Sequence, residues 1–198
     1  MSNTNRRDTI FQFKIEFLGV ESQIWRRIQV PGDYTFWDLH VAIQDAMGWL
    51  DYHLHSFNIV GSSVTLGIPD ADGDDPSDFR PGWKVELREF FSHFFPLGLY
   101  EYDFGDSWLH EVRFEGAYEA EAGVIYPRCL DGARRCPPED CGGASGYEEF
   151  LRAINDPTDP EHDVFLEWIG GSFDPEEFDP SKARFDDPGE RRRIAFQG

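Results

Sequence analysis

Lysine is nearly missing from this chain: it supplies 3 of the 18 basic residues, against 38 acidic ones. The resulting net charge of −20 repels phosphate backbones and argues against direct, non-specific nucleic-acid binding. The acid excess itself is read as solubility or adaptation to a salty cytoplasm. The basic patches are short, Arg134-Arg135 and Arg191-Arg192-Arg193. No apolar run approaches the roughly 18 residues that span a bilayer. The segment Met1 to Asp8 is polar and lacks a hydrophobic signal core, so the expectation is a cytoplasmic protein without membrane contact. Several motifs are also absent: the Gly-x-x-x-x-Gly-Lys phosphate loop, Gly-x-Gly-x-x-Gly, the Gly-x-Ser-x-Gly nucleophile elbow and His-Glu-x-x-His. Cysteine occurs only at 129, 136 and 141. Aromatic side chains, in contrast, are plentiful, with 18 Phe and 6 Trp in 198 residues. That is enough apolar material for one sizeable core and excludes global disorder.

Alternation and spacing predict the elements. Phe11, Phe13, Ile15 and Phe17 alternate with Gln12, Lys14 and Glu16, as in a half-buried strand. Ile24 to Val30 reads as a second strand, closed by Pro31-Gly32, with Trp25 and Arg27 on the face opposite Ile24, Ile28 and Val30. Thr35 caps a helix with Asp38 three residues on, Phe36, Leu39, Ile43 and Met47 fall at helical spacing, and Gly48 suits its end. Ser56 to Val60 is a third strand. The order strand–strand–helix–strand suggests a β-grasp-like N-terminal part.

Residues 67–82 read as loop. Their run Asp70, Asp72, Asp74, Asp75 and Asp78 is not a calcium-binding EF-hand, which needs Gly and Glu where Asp75 and Pro81 stand. A short helical turn is expected from Leu87 to Phe91. Leu99 to Phe104 and Trp108 to Phe114 form a hairpin around Gly105-Asp106, with Trp108, His110, Val112 and Phe114 on one face. The C-terminal part is helical. Tyr147, Phe150, Leu151 and Ile154 lie at helix spacing, and Asp159-Pro160 starts a helix through Phe165 and Trp168 to Gly170. The Asp-Pro starts at 156, 174 and 179 mark short helices with tight joints. The expected fold class is α+β, one domain over residues 10–180, between a flexible N-terminus (1–9) and a polar tail (181–198) that frays after Asp186.

Two constellations could carry chemistry. Cys129, Cys136 and Cys141 sit among prolines and glycines in what reads as a constrained loop, neither helix nor strand. One reading is a structural zinc site. Zinc takes paired ligands two to four residues apart and four in all, so the interval from 136 to 141 fits and that from 129 to 136 is long. His110 is the first choice for the fourth ligand and His162 the second. The other reading is three reduced thiols packed as small hydrophobes. The second constellation joins His53 and His55 to Asp103, Asp106 and His110, with Trp108 beside them. Carboxylates and imidazoles together suit a divalent metal that activates water. Each also has a plainer role: a turn residue, a cap, a satisfied core histidine. Arg26 and Arg27 lie on opposite strand faces, so at most one serves a given site; pairing with Asp103 or Asp106 is one role, an ordinary surface ion pair the other.

Taken together, several segments resemble one family. They are Ile24-Trp25-Arg26-Arg27, Ala46-Met47-Gly48-Trp49, Tyr52-His53-Leu54-His55-Ser56-Phe57, Tyr100 through His110, Tyr126-Pro127-Arg128-Cys129, and Cys136 through Gly143. The chain resembles, over about residues 10 to 180, the plasmid Ri ORF-three-like family, whose members are also called TnpR-like passenger proteins of an insertion sequence. The resemblance implies a single α+β domain found with mobile elements, and raises the cysteine loop and the Asp/His hairpin as sites. The resolvase sense of the TnpR name finds no recombinase serine motif or basic tail here. The leading expectation is an accessory binding module with a zinc-bearing cysteine loop. Its groove, formed by His53, His55, Asp103, Asp106, Trp108 and Arg27, would take a protein or small ligand. The alternatives are a metal-dependent hydrolase at that groove and a metal-free acidic interaction domain.

Overall fold

The computed structural model describes residues 9–69 and 77–197. The expected flexible N-terminus, save Thr9, and most of the aspartate run at 70–75 lie outside the described residues.

Alternation in the N-terminal strands determines how the sheet is built. β1 (Thr9–Phe17) and β2 (Trp25–Pro31) form an antiparallel hairpin with Phe13 opposite Ile28 and Ile15 opposite Arg26. The inward residues Phe13, Ile15, Ile24, Ile28 and Val30 are fully buried. The outward ones stay polar, and Gln12, Arg27 and Glu115 bond to one another there. This is the division expected of an antiparallel sheet with one solvated face.

α1 (Phe36–Met47) covers the inner face. Thr35 and Asp38 form the reciprocal capping box, and Gly48 ends the helix in the left-handed conformation at φ 86°. β3 (His55–Ile59), β4 (Thr65–Gly67), β5 (Phe79–Pro81), β6 (Leu97–Tyr102), β7 (Trp108–Glu119) and β8 (Arg128–Ala133) complete an eight-stranded sheet of order β5-β4-β3-β6-β7-β1-β2-β8. The strand–strand–helix–strand order stands. β3, however, joins the first hairpin only through β6 and β7, which gives the finer β-grasp description no support. α2 (Gly143–Asn155) and α3 (His162–Trp168) add a smaller aromatic cluster, with the Phe150 ring 5.5 Å from Phe165 and 5.1 Å from Phe173. No described helix is long and apolar enough to cross a membrane.

Six expectations need correction. Residues 67–82, read as loop, include β5, paired parallel to β4. Of the Asp-Pro starts at 156, 174 and 179, only the last opens a short helix. The hairpin turn takes its positive φ angles at Asp103 (56°) and Ser107 (53°), not at Gly105-Asp106. Asp103 Oδ1 accepts from the amides of Gly105 and Asp106, so an aspartate side chain organises the turn. The cysteine segment is partly strand, because Cys129 pairs with Ile28 where β8 joins β2. Asp159 accepts from the Glu161 amide, but α3 begins only at His162. The tail is not frayed. α4 (Pro188–Gln197) lies against α1, with Phe196 5.4 Å from Trp37, and Trp37 Nε1 donating to the Pro188 carbonyl. Arg191 binds Asp45 at 2.8 Å and Asp51 at 3.1 Å.

Candidate functional site

The proposed groove residues separate into different environments. Arg27 faces the solvated side of the sheet and pairs bidentately with Glu115, far from Asp103 and Asp106 in role. His55 is buried and stacks on His40 with ring centroids 3.5 Å apart. Trp108 is fully buried beside Phe17 and Trp49. His110 is fully buried, its Nδ1 bonded to the Trp108 carbonyl and its Nε2 without a partner. Burial pushes His110 down to about 4 and holds His55 well below the ordinary histidine value. Both belong to a core network around Tyr100. The Gln44 amide donates to the Tyr100 hydroxyl at 2.8 Å, His40 Nδ1 lies 2.8 Å from it, and His40 Nε2 reaches Asp51 at 2.8 Å. A proton on Nε2, given to Asp51, leaves Nδ1 to accept from Tyr100.

His53 and Asp103 do meet, and Asp140 joins them. His53 Nε2 is 3.0 Å from Asp140 Oδ1 and 3.6 Å from Asp103 Oδ2. One ligand atom from each residue lies within 4.8 Å of the other two, the only such trio among the described residues. The turn amides hold Asp103 Oδ1, which leaves Oδ2 for His53.

The cysteine segment docks on the hairpin through ordinary hydrogen bonds. The Gly142 amide donates to Asp106 Oδ2, Trp49 Nε1 to the Pro137 carbonyl, and Tyr102 Oη to Glu139 Oε1, which also leaves Glu139 Oε2 for the Leu50 amide. Gly143 must be glycine here: at φ 68°, a Cβ would stand 2.5 Å from the Asp106 carbonyl oxygen. The three sulfurs and His110 form no group of mutually close ligand atoms. His162 Nδ1 instead bonds the Ala153 carbonyl.

That docking leaves an open cleft of about 870 Å³ between the end of α1, the 135–140 segment and residues 168–184. Trp49, Pro137, Trp168, Phe173 and Phe178 line it, and Asp140 connects it to the His53 trio. Deepest among its lining residues is Arg26, only 2% exposed. Arg26 Nε donates to the Ala46 carbonyl at 2.9 Å, and Nη1 to those of Trp25 and Ala133 at 2.9 and 3.0 Å. The guanidinium carbon lies 4.0 Å from the Phe178 ring centroid. Neither the cleft nor Asp140 was visible by spacing. Arg26 was: alternation puts it with Ile24, Ile28 and Val30, a charge on an apolar face.

A one-sheet α+β domain with a helix-covered face and an open cleft at one end is the class these features define. The chain belongs to the plasmid pRiA4b ORF-3-like protein family, whose profile matches residues 9–182. It is 36% identical over 179 residues to the uncharacterised protein y4hQ of Sinorhizobium fredii, covering 89% of this chain and 87% of that one. It is also similar to a crystal structure of a protein of unknown function from Methanosarcina mazei, with TM-score 0.83 and 40% identity over 90% of this chain and 99% of the other.

Proposed function

We propose that the chain is an accessory binding module of this plasmid-associated family, working in the cytoplasm, and that its ligand occupies the cleft between α1, the 135–140 segment and residues 168–184. The observation that carries this reading is the combination of open volume with exposed apolar side chains. Leu50 and Trp168 line the cleft and remain 63% and 46% exposed. Aromatic side chains around a concave surface are the usual lining of a ligand site. Amide shifts in a 15N–1H titration with a panel of small molecules and short peptides test it. Shifts gathered at 46–52, 135–140 and 168–184 support the reading, and shifts confined to the polar sheet face, or none, overturn it.

A second reading, a metal-dependent hydrolase, is favoured by His53, Asp103 and Asp140. Two carboxylates and an imidazole suit a borderline or hard divalent cation and leave positions for water. Zinc on the thiols needs Cys129, Cys136, Cys141 and His110 to close around one point, and their separation favours the His/Asp trio instead. Elemental analysis of the untagged, unchelated protein separates these. Metal lost in Asp140→Asn and kept in Cys136→Ser supports the trio. Metal lost only in Cys136→Ser returns the site to the thiols. No metal in any sample leaves the cleft alone.

A further inference from the structure

We propose that Arg26 makes the cleft a receptor for a carboxylate: the ligand's acidic group meets Arg26 Nη2, and its apolar part lies on Trp168, Phe173 and Phe178. The inference rests on the cleft being the binding site. A guanidinium is charged at every ordinary pH, and burying a charge is costly unless an opposite charge or a full set of hydrogen bonds compensates. Arg26 has three bonds to carbonyl oxygens and an aromatic ring over it, but no carboxylate partner among the described residues. Nη2 is the nitrogen left over. It has no protein partner among the described residues, yet it is not one of the sealed, unsatisfied polar atoms of the interior. Arg26 lines the cleft, and Nη2 is the guanidinium nitrogen left to meet a ligand there.

The acids nearby are occupied elsewhere. Asp45 binds Arg191 and the Asp186 amide, Glu139 binds Tyr102 and Leu50, Glu177 binds Lys182 and Arg135, and Asp179 accepts from Ser181. The local fold accommodates the arrangement: a Cβ on Gly132, opposite Arg26 on β8, would lie 2.6 Å from the Phe178 ring, so glycine lets that ring cover the guanidinium. The chain's acidity selects against a dianion, since a phosphate would meet the field of a molecule of net charge −20, whereas a single carboxylate needs one charge-assisted bond.

Two sources supply this chemistry, a free organic acid and a carboxylate carried by a peptide. The full chain is titrated, by 15N–1H spectra that include the Arg26 Nε–H, with 4-phenylbutyrate, with its neutral counterpart 4-phenylbutanol, and with the tripeptide Ala-Ala-Phe bearing a free or an amidated C-terminus. The acid is expected to bind at least about tenfold tighter than the alcohol, the factor of one charge-assisted bond, with the Arg26 Nε–H shifting. Arg26→Met, its fold checked by the same spectrum, should abolish that preference. If the variant does not fold, the acid–alcohol comparison on the wild-type protein decides. A free tripeptide preferred over its amide assigns the carboxylate to a peptide; preference for phenylbutyrate alone assigns it to a small acid. Alcohol and acid binding the cleft equally would overturn the role of Arg26 and leave the cleft reading standing. Shifts from neither, nor from the tripeptides, would overturn both.

Discussion

Around Tyr100, the side chains of Gln44, His40 and Asp51 form a hydrogen-bonded chain inside the core, while His55 and His110 pack against it as rings. Where β2 meets β8, Arg26 is equally buried, yet its hydrogen-bond partners are all backbone carbonyls, Nη2 has no partner among the described residues, and the side chain lines a cleft. His55 and His110 can shed their protons and enter the core without charge. The arginine cannot, so its burial requires dipoles and rings around it. Buried groups that discharge fit a core; a buried group that cannot discharge and is left incompletely paired is where we propose recognition.

Acidification perturbs the first region most. His110 titrates near 6.5 when unfolded and at about 4 when folded. Because its folded value is depressed, the neutral form is the one the fold holds. Stability is full above pH 6.5, falls as the unfolded state takes up the proton, and levels off below about 4. His110 alone accounts for about 3 kcal/mol of this loss. His55 shifts in the same direction and deepens it. Denaturant unfolding midpoints between pH 7 and 4 measure this, and a flat profile would break the comparison from the histidine side.

Arg26→Met strands the carbonyls of Ala46, Trp25 and Ala133, and should cost about 2 kcal/mol in the same denaturant assay. Arg191→Ala removes the cation between Asp45 and Asp51 and loosens α4 from α1. A loss of about 1–2 kcal/mol is expected, with faster amide exchange over 188–197. Arg27→Ala is the smallest. Its bidentate pair with Glu115 is partly solvated, so the cost is at most about 1 kcal/mol, and ligand binding in the cleft should be unchanged. Adjacent arginines would thus differ because alternation sends one inward and the other out.

Local chemistry made much of this fold readable. The phenylalanine alternation of β1 and the Thr35–Asp38 box of α1 need no distant partner to be recognised. Other features depend on residues far away in the chain. β8 is a strand because β2 offers an edge, and the proline- and glycine-rich composition around its cysteine conceals that. α4 is held by Arg191 reaching carboxylates 146 and 140 positions earlier. The hairpin was placed correctly but its turn was misassigned, because the Asp103 carboxylate supplies the acceptors and tolerates the left-handed backbone itself. Of the candidate site, His53 with Asp103 was legible and Asp140 was not, since the docking of the 136–143 segment brings it there. The cleft is created by that same docking and has no signature in spacing.

The most direct test of the central claim is a crystal structure of the wild-type protein with 4-phenylbutyrate. The account predicts a carboxylate oxygen within about 3 Å of Arg26 Nη2 and the phenyl ring against Phe173 or Phe178. A carboxylate seated on Lys182 or Arg184 alone, with Arg26 Nη2 untouched, would contradict it.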